Sequence, residues 1–127
     1  MTMDSASPVA EWPRILVLED EYHLAAEMSE ALTAHHFLVA GPYGLLSAAL
    51  FAEPEMKIDG AIVDLNLHGE LAYEFADYLD QRDIPRIIVT GYCSNAMPER
   101  YRDGRCLRKP VGADAIMAKL MSLMMVH

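Results

Sequence analysis

The chain predicts an α/β fold in which helices cover both faces of a parallel β-sheet. Short apolar runs of strand length alternate with stretches of helical periodicity from residue 14 to residue 126, the pattern of repeated strand–helix units. The strand runs are near-continuously apolar rather than alternating, as strands buried on both faces require. Four of them are followed by polar groups of distinct chemistry: Glu19-Asp20-Glu21, Asp64, Thr90-Gly91 and Lys109-Pro110.

The first strand, Arg14–Leu18, carries Ile15-Leu16-Val17-Leu18. It leads into a helix of about Glu21–Ala34, where Leu24, Met28, Ala31 and Leu32 recur at helical spacing. His35-His36 closes that helix. Phe37-Leu38-Val39-Ala40 forms a second strand, closed by Gly41-Pro42, and Leu45, Leu46, Ala49 and Leu50 mark a short amphipathic helix stopping before Pro54. Ala61–Asp64 is the third strand, with Leu65–Glu70 a loop into a helix of about Leu71–Gln81 that presents Leu71, Phe75, Tyr78 and Leu79 on one face. Pro85 precedes the fourth strand, Arg86–Thr90. The following unit is weak: residues 93–102 contain Pro98 and few apolar side chains, enough for a turn or two of helix. The last strand, Arg105–Leu107, precedes a helix of about Ala113–Val126 carrying Ile116, Met117, Leu120, Leu123 and Met124.

Five such units joined by right-handed crossovers form a doubly wound (βα)5 sandwich with a shortened fourth helix. The flavodoxin-like strand order 2-1-3-4-5 has its switch point between the first and third strands, where ligands bind at the carboxyl edge. That order sets Glu19-Asp20 beside Asp64.

At 127 residues the chain fits one domain, residues 14–127, with residues 1–13 a flexible lead-in that ends in a packed Trp12-Pro13. Its first residues include Asp4 but neither a basic residue nor an apolar core, so they do not form a secretory signal. The chain lacks an apolar stretch of the ~18 residues that a membrane span needs, and a cytoplasmic location follows. A net charge of −9 disfavours nucleic acid, whose phosphates call for clustered Lys and Arg. The basic group Arg100, Arg102, Arg105, Arg108 and Lys109 is diluted by Glu99 and Asp103. Cys93 and Cys106 read as reduced thiols rather than a disulfide framework or zinc site, with a redox pair between neighbouring strands as the alternative. His68 lies near the strand ends without a defined partner.

Taken singly, each polar strand end has an ordinary reading. Acids at a helix N-terminus favour the dipole, Thr-Gly makes turns, and Arg-Lys-Pro makes surface loops. The methionine-rich last helix reads as core. Jointly, the strand ends fit magnesium-assisted phosphoryl transfer to a carboxylate. A hard divalent cation takes oxygen ligands and keeps several waters. Asp20 and Asp64 would bind Mg2+ directly, Glu19 through water, and the Asn66 backbone carbonyl would supply a further ligand. Asp64 then attacks a phosphoryl donor to give an acyl phosphate. Lys109 is a compact cation for one phosphoryl oxygen, Thr90 donates its hydroxyl to another, and Gly91 leaves space for entry.

The Ile-Leu-Val-Leu-Glu-Asp-Glu opening, Ile-Val-Asp-Leu-Asn-Leu around Asp64, Val-Thr-Gly at Thr90 and Leu-Arg-Lys-Pro at Lys109 together resemble the response-regulator receiver family of two-component signalling. The resemblance spans residues 14–126. It implies Glu19 and Asp20 as the acidic pair, Asp64 as phospho-acceptor, Thr90 as switch hydroxyl, Lys109 as the family's lysine and a cis Lys109–Pro110 bond. It further implies a sensor histidine kinase or histidine phosphotransfer protein as donor, an unknown downstream protein as reader, and signalling rather than enzymatic turnover; a homodimer is left open. Ile-Val-Thr-Gly-Tyr followed by Pro-Glu-Arg-Tyr-Arg and Leu-Arg-Lys-Pro, with the short spacing from Thr90 to Lys109, looks like the Phe-Ala-Thr-Gly-Tyr subgroup of alphaproteobacteria, often stand-alone receivers or attached to unusual kinases, although Ile88-Val89 replace its Phe-Ala. Cys106 stands where most receivers carry Tyr or Phe, which puts switching by a rotating aromatic at that position in doubt. Tyr92, two residues past Thr90, reads equally as an overhang of the phosphoryl pocket that slows attack by water and as an ordinary loop aromatic. The alternatives are a degenerate receiver that binds partners without phosphorylation, and a phosphatase of the haloacid-dehalogenase type, which would want an acid where Asn66 stands. A flavin site is weaker still, since no hydroxyl-rich phosphate loop follows the first strand.

Overall fold

The computed structural model describes residues 11–45, 47–49, 57–67, 70–91, 97–101 and 106–124. Five strands form one parallel sheet: β1 (Arg14–Leu18), β2 (Leu38–Tyr43), β3 (Gly60–Asp64), β6 (Arg86–Thr90) and β7 (Cys106–Arg108). Their order is β2-β1-β3-β6-β7, the expected 2-1-3-4-5 when only sheet strands are counted. The helices are α1 (Tyr22–Ala34), α2 (Tyr73–Gln81) and α3 (Ala113–Met124), with residues 47–49 also helical.

Side chains alternate across the sheet and build a core on each face. Ile15, Val17, Ile62, Ile87 and Val89 pack against Met28 and Leu32 of α1 and against Ile116, Met117 and Leu120 of α3. Leu16, Leu18, Ala61 and Val63 meet Ala49 and, from α2, Phe75 and Leu79. Glu21 caps α1, its carboxylate accepting from the His23 and Leu24 N–H groups at 3.0 and 2.7 Å. The helix closes at His35, and His36, at φ 66°, stacks on Trp12 with ring centroids 4.8 Å apart. Trp12 is thus packed against the end of α1; residues 1–10 lie outside the described residues, as do Leu46, Leu50, His68, Tyr92, Cys93 and Val126.

Two expectations change. The second strand continues through Gly41-Pro42 to Tyr43, because β2 is an edge strand, where proline costs no ladder bond. A register shift between Leu16 and Leu18 absorbs the cis Gly41–Pro42 step. Gly41, at φ +97°, is required there: a Cβ would lie 2.7 Å from the Tyr43 nitrogen. After Asp64 the expected loop contains a small antiparallel hairpin, β4 (Asn66–Leu67) with β5 (Glu70–Leu71). The fourth unit, among the described residues, is one 3-10 turn at Glu99–Tyr101, in keeping with its weak helical pattern. Lys109–Pro110 is cis, as the resemblance implied.

Candidate phosphoacceptor site

β1 and β3 run side by side, with Leu18 opposite Val63, and β3 pairs with β6, with Asp64 opposite Val89. The residues at these strand ends therefore share one edge of the sheet. Carboxylate oxygens of Glu19, Asp20 and Asp64 lie within 4.8 Å of one another. Lys109, just past β7, is fixed by its own N–H donating to the Thr90 carbonyl at 2.8 Å. Its ammonium reaches Asp64 Oδ2 at 3.2 Å and Glu19 Oε2 at 3.3 Å. Asp64 Oδ1 accepts the Asn66 N–H at 3.1 Å. Thr90 ends β6 one residue past the partner of Asp64 and is buried. The structure thus gathers Glu19, Asp20, Asp64 and Lys109 into one cluster, with Thr90 and Asn66 at its margins.

Burial makes charge expensive here. Glu19 is 3 % exposed, and desolvation raises its pKa to about 7, with the nearby Asp64 charge adding and the Glu21 N–H opposing. Desolvation raises the Asp64 pKa as well, against the opposing pull of Glu19, Asn66 and Lys109. For Lys109, burial acts to release the proton, but the Asp64 and Glu19 carboxylates outweigh it and the ammonium is held above its ordinary range. Glu19 Oε1 is buried and has no hydrogen-bond partner among the described residues. A buried carboxylate oxygen left in that state is costly. A hard cation with its waters would satisfy it, and an all-oxygen donor set suits Mg2+.

The expectation of reduced thiols is corrected: Cys106 is disulfide-bonded, and there is no free cysteine among the described residues. Sequence separation says nothing about which sulfurs come within bonding reach, since only the fold sets the Cα distances a disulfide needs.

Sequence reasoning also missed a second polar cluster. Arg86, fully buried at the start of β6, makes two 3.0 Å hydrogen bonds to the Asp80 carboxylate. Arg100 makes two of 3.1 Å to Asp77. Tyr101, also fully buried, donates its hydroxyl to the same Asp77. The one sequence signal was an arginine opening an apolar strand, which by itself reads as a strand entering from solvent.

No family model matches the chain, and no curated protein does. Among solved structures it is similar to SdrG from Sphingomonas melonis Fr1, at 30% identity over 94% of this chain and 100% of that one, with a TM-score of 0.76. It is similar to the non-phosphorylated HemR receiver domain from Leptospira biflexa, at 21% identity over 91% and 96% of the two chains, with a TM-score of 0.78. It is similar also to a CheY-like response regulator receiver domain protein from Methanospirillum hungatei JF-1, at 18% identity over 90% and 94%, with a TM-score of 0.77. With the sheet order and the acid-and-lysine edge already in place, these likenesses identify the chain as a member of the response-regulator receiver family.

Proposed function

We propose that Asp64 is a phosphoacceptor, taking its phosphoryl group from a phosphohistidine on a sensor kinase or phosphotransfer protein. The observation that carries this reading is the Lys109 ammonium held between Asp64 and Glu19 at 3.2 and 3.3 Å. An Asp64 oxygen attacks phosphorus, the N–P bond breaks, and its electron pair returns to the donor imidazole, which takes up a proton. Positioning and charge neutralisation do most of the work in such a transfer. Glu19 through water, Asp20, Asp64 and the Asn66 carbonyl would hold Mg2+, which supplies charge neutralisation for the incoming phosphoryl oxygens. Lys109 meets one of those oxygens and the Thr90 hydroxyl another. Tyr22, 78 % exposed at the start of α1, and Leu45, 56 % exposed, offer apolar contact to the donor protein beside this edge.

The product is a signalling state read by another protein or a phosphate sink, in a cytoplasmic receiver of the Phe-Ala-Thr-Gly-Tyr subgroup. The reduced fourth unit supports that placement. Incubation with acetyl phosphate and Mg2+ tests the function: an acid-stable, hydroxylamine-labile label should form and be lost in Asp64→Asn. Absence of label on the parent protein would sink the proposal. Cys106, in place of the usual aromatic, favours a second reading, a module that binds partners without phosphorylation. Partner affinity unchanged by Asp64→Asn and by phosphodonor would select it.

A further inference from the structure

Tyr101 is fully buried among the described residues. It packs with Leu65, Ala76, Ile88 and Met97, and Tyr73 and Cys106 lie against the same cluster. Its ring stacks on Tyr73 with centroids 4.7 Å apart, while the Arg100 and Arg86 guanidinium carbons stand 4.5 and 5.6 Å from the ring centroid. Its hydroxyl is given to Asp77, the carboxylate that also takes Arg100. One side chain thereby joins α2, the strand β6 and the 99–101 turn.

Two of its neighbours adjoin the acceptor. Leu65 follows Asp64 and gives its N–H to the Val89 carbonyl at 3.3 Å. Ile88 precedes Val89, the strand partner of Asp64. Both Asp64 oxygens are engaged, one by the Asn66 N–H and one by Lys109. A group added to either oxygen must disturb one of these contacts, and a disturbance at Asn66 passes to Leu65 and so to Tyr101. Packed cores rearrange between discrete arrangements rather than deforming smoothly. Cys106, on the strand next to Ile88, is too small to fill the space that Tyr101 occupies.

Resting on the acceptor reading above, we propose that Tyr101 is the aromatic coupling Asp64 to the surface made by α2 and the 99–101 turn, with Asp77 the latch that keeps it closed in the unmodified protein. The latch is reachable: the side chains of Asp77 and Arg100 are 34% and 58% exposed. Opening it presents a carboxylate, a guanidinium and a phenol to a partner. What stabilises the unmodified arrangement opposes any ligand that favours another.

The test uses the full chain with Mg2+ and beryllofluoride as the phosphoryl mimic, comparing the parent with Tyr101→Phe and Asp77→Asn. Tyr101→Phe keeps the ring, and Arg82→Ala, which removes a cation–π contact to Tyr78, controls for a general loss of stability. Both latch variants should bind beryllofluoride about two- to tenfold more tightly than the parent, within the range of coupling through packed networks. The Tyr101 amide, which donates to the Pro98 carbonyl, should exchange faster in both variants without ligand, and in the parent only with it. Arg82→Ala should match the parent. Unchanged affinity in both latch variants, or an equal gain in Arg82→Ala, overturns the coupling while leaving the acceptor intact. No beryllofluoride binding by the parent overturns the acceptor reading itself.

Discussion

Glu19 holds its proton against a pH at which glutamate is normally charged, and its energetics define what the acidic edge costs the free protein. Its pKa of about 7 means that the folded state binds this proton more tightly than the unfolded chain does. The associated stability is full below the ordinary glutamate value and is lost as pH rises towards 7. In chelator, Glu19→Gln should therefore flatten that decline and be more stable than the parent at pH 8 by about 1–3 kcal/mol, measured by urea unfolding. A parent no less stable than the variant at pH 8 would contradict the assignment. Mg2+ should reverse the order, because a cation that binds only the folded state stabilises it by mass action. Asp64 and Lys109 were legible in the sequence because strand ends of a doubly wound sheet converge whatever their separation along the chain. The orphaned Glu19 oxygen was not, since it depends on how deeply the end of β1 is covered.

At the scale of elements, the latch ties a 3-10 turn to a helix through ionisable groups, so its strength follows pH. Asp77 has its pKa lowered, chiefly by the Arg100 hydrogen bonds, so its contribution is present above the ordinary aspartate value and lost as pH falls through the depressed one. Burial and the Asp77 hydrogen bond push the Tyr101 hydroxyl to about 12. Its contribution is complete below the ordinary tyrosine value of 10.0 and is lost as pH rises towards 12. The melting-point gap between the parent and Tyr101→Phe should thus hold steady from pH 5 to pH 9 and shrink beyond either end, which a series of thermal melts would show. None of this could be read from the sequence. Asp77 falls on a helix surface where acids are routine, and Arg100 and Tyr101 lie in a segment without periodicity. The hairpin of β4 and β5 escaped for a related reason: two-residue strands leave no period to detect.

For the whole molecule, the order of five parallel strands was legible because continuous apolar runs and helical spacing alternate without interruption. The course of β2 was not, because a Gly-Pro step normally ends a strand and only edge placement permits it to continue. Leu120 is fully buried in the core where α1 and α3 cover the sheet. Leu120→Ala should cost about 2–5 kcal/mol of stability, read from denaturant unfolding, and should leave the magnesium dependence of labelling unchanged at temperatures where the variant is folded. The reactive groups all gather at one end of the sheet, while the turn at Asp83, with φ 57°, belongs to the other end, just ahead of β6. A fluorophore attached there would sit away from the chemistry yet at the foot of the strand that carries Thr90, giving an optical sensor of the acceptor's state that leaves the docking edge untouched.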